Sequence, residues 1–246
     1  MFKDRSDAAH QLAQRLIRYR GQHPLILAIP RGAVPMGHIL AASLQGDLDV
    51  VLTHKLCAPF QPEVAIGAID EHGHTWLAPQ ASEMGATAPY VKAERARQLK
   101  VLQDRRKRYS SIHAPINASG RLVIVVDDGL ATGATMMAAL TLLRQLQPAR
   151  VVCAIPVASA DALAKIRPLA DEVICLSIPP EFQGVGQFYQ QFAQVDDDEV
   201  MALLHQKPLF TDPPTKTFTQ ANTSAWANKR PAASLAASKG ATSKGH

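Results

Sequence analysis

Short apolar runs that alternate with helix-patterned segments constrain the fold of this chain more than any other feature of its sequence. Five runs have strand length: LILAIP (25–30), LDVVLTHKL (48–56), RLVIVVDD (121–128), RVVCAIPVAS (150–159) and DEVICLSIPP (171–180). Helix-patterned segments appear in residues 5–20, 38–44, 134–147 and 159–170. Strands of this kind alternating with helices are typical of a parallel sheet that is covered on both faces. We therefore predict an α/β fold with a mostly parallel central sheet and helices on both faces.

Two segments depart from this alternation. VAIGAID (64–70) and HTWLAP (74–79), separated by EHG, have the pattern of a β-hairpin with a glycine turn. Residues 90–109 contain strong helix formers throughout, with eight basic and two acidic residues. We expect one folded domain over residues 1–206 and a disordered tail over 207–246, because the tail is rich in Ser, Thr, Ala, Pro and Lys and poor in large apolar residues.

The composition of the chain disfavours a nucleic-acid-binding, membrane-spanning or disulfide-rich protein. The net charge of +5 arises mainly from the tail, because residues 1–210 carry 21 basic and 20 acidic side chains, so we do not expect nucleic acid to be the main partner. No apolar run approaches the ~18 residues that span a bilayer, and the N-terminus lacks the pattern of a signal peptide. We expect a cytoplasmic protein. Cys57, Cys153 and Cys175 lie far apart in apolar runs and are interpreted as core residues.

The stretch VVDDGLATGAT (125–135) suggests a ligand site. Asp127 and Asp128 are adjacent carboxylates that repel each other, so a strand end that carries both is unfavourable for stability alone. We therefore expect the pair to be solvated or to bind a ligand. In parallel sheets, ligands bind outside the carboxyl ends of the strands. The small-residue loop that follows opens a helix, where backbone N–H groups and the helix dipole suit a phosphate. That loop consists of Ala131, Thr132, Gly133, Ala134 and Thr135.

The carboxylates cannot bind the same phosphate, because like charges repel. Vicinal sugar hydroxyls donate hydrogen bonds to carboxylates, so a phosphorylated ribose fits both halves of the motif. The acidic pair has two other interpretations. A bacterial receiver domain needs another aspartate at the end of a later strand, and RVVCAIPVAS contains none. A purely structural helix cap remains an alternative, although Asp127 lies some residues ahead of the predicted helix.

VIVVDDGLATGAT (123–135) resembles the signature of the type I phosphoribosyltransferases. IPRGAVPMG (29–37), HKLCAPFQPEVAIGAI (54–69) and GVGQFYQQFAQVDDDEV (184–200) are similar to an uncharacterised bacterial branch of that family, so the resemblance covers residues 1–206. It implies a glycosyltransferase of nucleotide metabolism with a small hood or flap. Such enzymes transfer phosphoribose from 5-phosphoribosyl-1-pyrophosphate, with Mg²⁺, to a nitrogenous, nucleobase-like acceptor and release pyrophosphate. By the resemblance, Asp127 and Asp128 hold the ribose hydroxyls and residues 131–135 hold the 5-phosphate.

The resemblance also implies a pyrophosphate loop at residues 30–33, with Arg31, Gly32 and Ala33 as its members. We expect Lys55 to end the second strand on the same sheet edge and to face a phosphate; a solvated lysine is the alternative. Glu63 is a weaker candidate for magnesium-bound water or substrate.

Residues 90–109 stand where the family carries a mobile flap. Arg95, Arg97 and Lys100 are its candidate pyrophosphate contacts. A solvated helix, or one at the interface of a homo-oligomer, is the alternative for these charges.

Aromatic residues near the end of the domain are candidates for the acceptor pocket. Phe188 and Tyr189 could stack on a planar base, with Phe182 as another candidate, although such residues also serve as packing. His72 and His74 lack further ligands nearby, so we predict no metal site made of protein side chains alone.

Three functions remain open from the sequence. The first is the transferase, with 5-phosphoribosyl-1-pyrophosphate and a small-molecule acceptor as its partners. The second is a non-catalytic sensor of that sugar phosphate that binds nucleic acid through the basic segment 90–109. The third is a phosphorylase or hydrolase that acts on the same sugar.

Overall fold

The computed structural model describes residues 1–111 and 114–206, without the side chains of Pro62 and Glu63. The predicted tail 207–246 and the side chain of the candidate Glu63 therefore lie outside the described part. In chain order the helices and strands are α1 (Arg5–Arg15), β1 (Leu25–Ala28), α2 (Val34–Leu44), β2 (Asp47–Val50), β3 (Thr53–Ala58), β4 (Gln61–Asp70), β5 (Thr75–Leu77), α3 (Ala88–Ser110), β6 (Leu122–Val126), α4 (Ala134–Leu143), β7 (Arg150–Val157), α5 (Ala160–Ile166), β8 (Glu172–Ser177) and α6 (Asp197–His205).

The main sheet has five parallel strands in the order β2-β1-β6-β7-β8. Its central strands are buried on both faces, and their side chains alternate between two apolar clusters. Ile26 and Val126 pack with α1, α2, α3 and α6, whereas Leu27 and Val125 pack with α4 and α5. This arrangement confirms the predicted parallel sheet with helices on both faces.

The apolar run 48–56 is not one strand, and the prediction of a continuous second strand was wrong. It divides into β2 of the main sheet and β3 of a separate antiparallel sheet with the order β3-β4-β5. Lys55 therefore lies inside β3, opposite Ala68, rather than at the carboxyl end of a parallel strand. The break cannot be recognised in the sequence, because the run is also apolar at the point where the chain passes from the main sheet to the antiparallel sheet. The predicted hairpin is confirmed as β4 and β5, with Gly73 at φ +86° in the turn.

Helix α3 confirms the helix predicted over 90–109, and its packing shows how it is anchored. Tyr90 donates a hydrogen bond to the Cys57 carbonyl (2.8 Å), and Leu102 and Tyr109 are buried in the core. Arg106 donates to Asp49 (2.9 Å) and also pairs with Glu71. Since these contacts join α3 to both sheets, α3 is part of the packed domain.

No helix in residues 1–111 or 114–206 is both long enough and apolar enough to cross a membrane. Cys57, Cys153 and Cys175 are free thiols, and Cys153 is fully buried.

Candidate active site

The acidic pair begins at the residue after β6, in the middle of the main sheet. The Asp127 amide donates to the Ala154 carbonyl (3.4 Å), which anchors it to the neighbouring strand β7. The Asp127 Oδ1 atom accepts a hydrogen bond from the Asp128 amide (2.9 Å). The backbone thus turns immediately at the strand end and holds the two carboxylates side by side.

Asp128 is held by two residues that are distant in sequence. Arg5, the first residue of α1, donates from Nε to Asp128 Oδ2 (2.9 Å), and its Nη2 lies 2.8 Å from the same oxygen. Tyr189 donates its hydroxyl to the Asp128 carbonyl oxygen (2.6 Å). Within the described residues, each carboxylate keeps one oxygen without a hydrogen-bond partner: Oδ2 of Asp127 and Oδ1 of Asp128. Two neighbouring acceptors of this kind suit two vicinal hydroxyl groups.

Burial and the neighbouring charges shift the pKa of both carboxyl groups. Burial raises the pKa of Asp127 well above its usual range, and the adjacent Asp128 carboxylate raises it further. Burial also raises the pKa of Asp128, while the Arg5 guanidinium partly opposes that shift. Perturbed carboxyl groups at the mouth of a cleft are candidates for function because folding alone gains nothing from them.

The loop of residues 30–33 follows β1, the neighbour of β6, so the two strand ends meet. The Ile29 amide donates to the Val126 carbonyl (3.0 Å), and the peptide bond between Pro30 and Arg31 is cis. Gly32 lies directly against Asp128: an added Cβ would come 3.0 Å from the Asp128 Cγ atom. Glycine is therefore needed here for close approach of the backbone to the carboxylate.

The side chains beside Gly32 differ in accessibility. Arg31 is 37% exposed, and its Nη1 lies 4.0 Å from Asp197 at the start of α6. Ala33 is fully buried, and its amide donates to the Ile29 carbonyl (3.4 Å). Arg31 is thus available to a ligand, whereas Ala33 shapes the loop.

The loop of residues 131–135 forms the N-terminal end of α4. Gly133 has φ +74° and packs against Ala162, whose Cβ would lie 3.2 Å from an added methyl group. Ala131, Thr132 and Thr135 are exposed. The first amides of a helix have no acceptor within it, so this end of α4 offers donors and a positive dipole to an anion.

Ser159 fixes the loop from the neighbouring helix. Its hydroxyl donates to the Ala131 carbonyl (2.8 Å) and accepts from the Ala162 amide (3.1 Å) at the start of α5. One side chain therefore caps α5 and holds the loop in place.

An open pocket of about 480 Å³ lies beside Asp128 and the 30–33 loop. It is lined by Arg5, Arg31, Gly32, Asp128, Val185, Phe192, Ala193, Gln194 and Val195. The fold thus brings Arg31 and Gly32 to the acidic pair, as the sequence predicted.

Lys55 and the three flap candidates, unlike Arg31 and Gly32, do not line this pocket. Arg95 donates to the Gly73 carbonyl (3.2 Å), Arg97 pairs with Glu94 (2.6 Å), and Lys100 pairs with Asp104 (2.8 Å). Each contact is within α3 or with the adjacent β4–β5 turn. Across the described part of the chain, no hydrogen bond or ion pair connects Arg95, Arg97 or Lys100 with Asp127 or Asp128.

The aromatic candidates pack against other rings, which is the alternative that the sequence left open. Tyr189 is buried, with its ring 5.4 Å from Phe2 and 4.9 Å from Phe192, so its ring serves as packing. Phe188 packs against Phe182 at 5.2 Å. Phe192, which the sequence reasoning passed over, is the ring that lines the pocket.

Two residues near the site, Arg5 and Ser159, were not predicted from the sequence. Arg5 is separated from Asp128 by 123 positions, and nothing in the local pattern of α1 distinguishes it from Arg15. Ser159 has a local sequence signal as a helix N-cap, because serine is preferred at that position. No local signal indicates its hydrogen bond to Ala131.

The histidines of the turn, His72 and His74, have rings 5.9 Å apart, and His74 Nδ1 lies 2.8 Å from Asp70 Oδ2. The described residues contain no group of three or more His, Cys, Asp or Glu side chains arranged to hold a metal ion.

Comparison with known proteins places this geometry in a family. The fold is similar to the crystal structure of TT1426 from Thermus thermophilus, with 43% sequence identity and a TM-score of 0.77 over 83% of this chain and 97% of that one. Two Mycobacterium tuberculosis proteins, from strains CDC 1551 and H37Rv, are provisionally named phosphoribosyl transferases. Each is 43% identical over 207 residues, and the match covers 83% of this chain but 46% of the relative. This chain thus spans about half the length of those relatives.

The model of the phosphoribosyl transferase domain matches residues 3–192, which include the acidic pair and both loops beside it. The chain belongs to the phosphoribosyl transferase family.

Proposed function

We propose that this protein transfers the 5-phosphoribosyl group of 5-phosphoribosyl-1-pyrophosphate to a nitrogenous, nucleobase-like acceptor and releases pyrophosphate. One observation carries the proposal. The two carboxylates after β6 lie between a loop suited to one phosphate, residues 131–135, and a glycine loop that contacts Asp128, residues 30–33. A sugar with a phosphate at one end and a diphosphate at the other has the matching order of groups.

Each part of the site has a role in this reaction. The amides at the start of α4 and the hydroxyls of Thr132 and Thr135 bind the 5-phosphate. Asp127 and Asp128 accept hydrogen bonds from the ribose hydroxyls. The backbone of the 30–33 loop and the Arg31 guanidinium bind the diphosphate.

The reaction breaks the bond between the anomeric carbon and the diphosphate oxygen, and the electron pair leaves with the diphosphate. A bond then forms from the acceptor nitrogen to that carbon, and the acceptor N–H proton passes to solvent. The sugar carries positive charge during this exchange, so the adjacent carboxylates stabilise it. Arg31 stabilises the departing anion.

Magnesium fits the donor set of this site. Mg²⁺ keeps several waters and binds through one or two carboxylates together with substrate phosphates, and Asp127 and Asp128 each keep one carboxylate oxygen for such a role. When bound, the ion would neutralise charge on the diphosphate as it leaves.

The test is pyrophosphate release from 5-phosphoribosyl-1-pyrophosphate and Mg²⁺ with a panel of purines, pyrimidines and related heterocycles. We expect release that depends on one acceptor and disappears in the double variant Asp127→Asn/Asp128→Asn. The matched control is Asp104→Asn, which removes a carboxylate paired with Lys100 on the exposed face of α3. Calorimetric binding of the sugar without release for any acceptor would instead indicate a sensor. Release without an acceptor would indicate a hydrolase, and no binding would refute the ribose-phosphate site.

A further inference from the structure

We propose that Arg5 is a positioning residue of the site, which fixes the Asp128 carboxylate so that Oδ1 is presented to the ribose. The inference rests on the transferase function proposed above. It adds the first turn of α1 to an active site whose other parts lie at the ends of the parallel strands.

The first argument is the geometry of the ion pair. Both guanidinium contacts, from Nε and from Nη2, reach the same oxygen, Asp128 Oδ2. The two side chains are only 12% and 16% exposed, so water screens the pair weakly. A carboxylate held at one oxygen by two donors cannot rotate freely, and its other oxygen has a fixed direction.

The second argument is that the guanidinium is itself held on several sides. Its Nη1 donates to the Ala193 carbonyl (2.6 Å), and its carbon lies 3.8 Å from the centre of the Phe192 ring. Phe192 in turn packs on Tyr189, whose hydroxyl holds the Asp128 carbonyl. Arg5 and Tyr189 thus fix the side chain and the backbone of one residue. A lysine could not reproduce these contacts, because an ammonium group lacks the planar fork of donors.

The third argument is the charge of the pair. The groups around Asp128 are the Asp127 carboxylate, the Arg5 guanidinium and the Tyr189 hydroxyl, with Arg31 on the same pocket and the buried Cys153 thiol near Asp127. Burial raises the pKa of Asp128, and Arg5 is the group that opposes this shift. Without Arg5, the buried Asp128 carboxylate would lose its ion-pair partner, so we expect it to leave the position from which Oδ1 accepts from the sugar.

The experiment measures calorimetric binding of 5-phosphoribosyl-1-pyrophosphate with Mg²⁺ at neutral pH, with and without added guanidinium. It compares the full chain with Arg5→Met, Arg5→Lys and Arg15→Met. Arg15→Met is the matched control, because it removes an exposed arginine from the other end of the same helix. Thermal unfolding of each variant reports stability separately.

We expect Arg5→Met to weaken binding at neutral pH by about tenfold or more, because the Asp128 carboxylate is no longer held in position. Added guanidinium should restore part of the loss. Arg5→Lys should bind with an intermediate affinity, and Arg15→Met like the unmodified chain. A purely structural role would lower the melting temperature, and added guanidinium would not restore the lost affinity.

Binding by Arg5→Met with the affinity of the unmodified chain would overturn the inference. If Arg5→Met does not fold, the same result for Arg5→Lys would overturn it. Absence of binding to the unmodified chain is a different outcome, since it would refute the proposed function and with it this role of Arg5.

Discussion

Asp127 is the residue at which function and stability conflict. A carboxyl group whose pKa is raised in the folded protein stabilises the fold below its unfolded pKa of about 3.9, and that contribution is lost as the pH rises through the folded pKa. Burial, together with Asp128, raises the pKa of Asp127. At neutral pH this side chain therefore costs stability, which is the expectation for a residue kept for a ligand rather than for folding.

We expect Asp127→Asn to abolish pyrophosphate release and to raise the free energy of unfolding at neutral pH by on the order of 1 kcal/mol. The gain should shrink as the pH falls, because the native carboxyl group then takes up its proton. Thermal unfolding at several pH values measures this. A variant that is less stable than the unmodified chain at neutral pH would contradict the assignment.

Gly32 is needed for close approach rather than for a special backbone angle. An added Cβ would overlap Oδ2 of Asp128 and lie 3.2 Å from Arg5 Nη2. We expect Gly32→Ala to displace the carboxylate and to weaken sugar binding by on the order of 100-fold. Calorimetric titration measures the loss. Gly184→Ala is the matched control, since an added Cβ there meets no atom within 4 Å; equal effects of the two substitutions would refute this explanation.

At the scale of elements, α3 is held by a buried ion cluster. Arg106 is 12% exposed, Asp49 is 2% exposed, and Glu71 is 9% exposed. Although burial alone would lower it, the pKa of Arg106 is raised because both carboxylates favour the charged guanidinium. Asp49 also accepts from the Ile116 amide (2.8 Å). The cluster joins β2, α3 and the turn after β4.

We expect Arg106→Met to lower the free energy of unfolding by about 3–5 kcal/mol, because it leaves two buried carboxylates without a counter-charge. Lys107→Met, at a neighbouring position that is 79% exposed, should change it by less than about 0.5 kcal/mol. Urea denaturation of both variants gives the comparison. Similar stabilities would show that the cluster does not anchor α3.

At the scale of the whole molecule, the N-terminus and the last part of the described domain close the site together. Phe2 donates to the Phe188 carbonyl (2.8 Å) and accepts from the Gln190 amide (2.9 Å). Its ring packs on Tyr189 at 5.4 Å. These bonds place Arg5 and Phe192 beside Asp128, so the site depends on both ends of the domain.

We expect Phe2→Ala to cost about 3 kcal/mol of stability, to speed hydrogen exchange at Gln190 and Gln191, and to weaken sugar binding. Phe60→Ala is the matched control, because Phe60 is 89% exposed. Native-state hydrogen exchange with calorimetry checks all three effects. Unchanged exchange at Gln190 would mean that the segment is held independently of Phe2.

The sequence by itself determined the parallel α/β class of the fold, the acidic pair and the two loops beside it. Runs such as LVIVV are apolar on both faces, and Asp127, Asp128, Gly32 and Gly133 bear signals within a few residues of themselves. Periodicity and turn chemistry are local properties, so they can be read from a window of the chain.

Only the tertiary structure decided the rest. It placed Lys55 in the antiparallel sheet, joined α3 to both sheets through Arg106, and brought Arg5 to Asp128 across 123 positions. These contacts depend on strand order and on which helix face packs where. The physical reason is that a long-range ion pair depends on how the apolar layers pack. The residues around either partner therefore contain no local pattern that predicts the other partner.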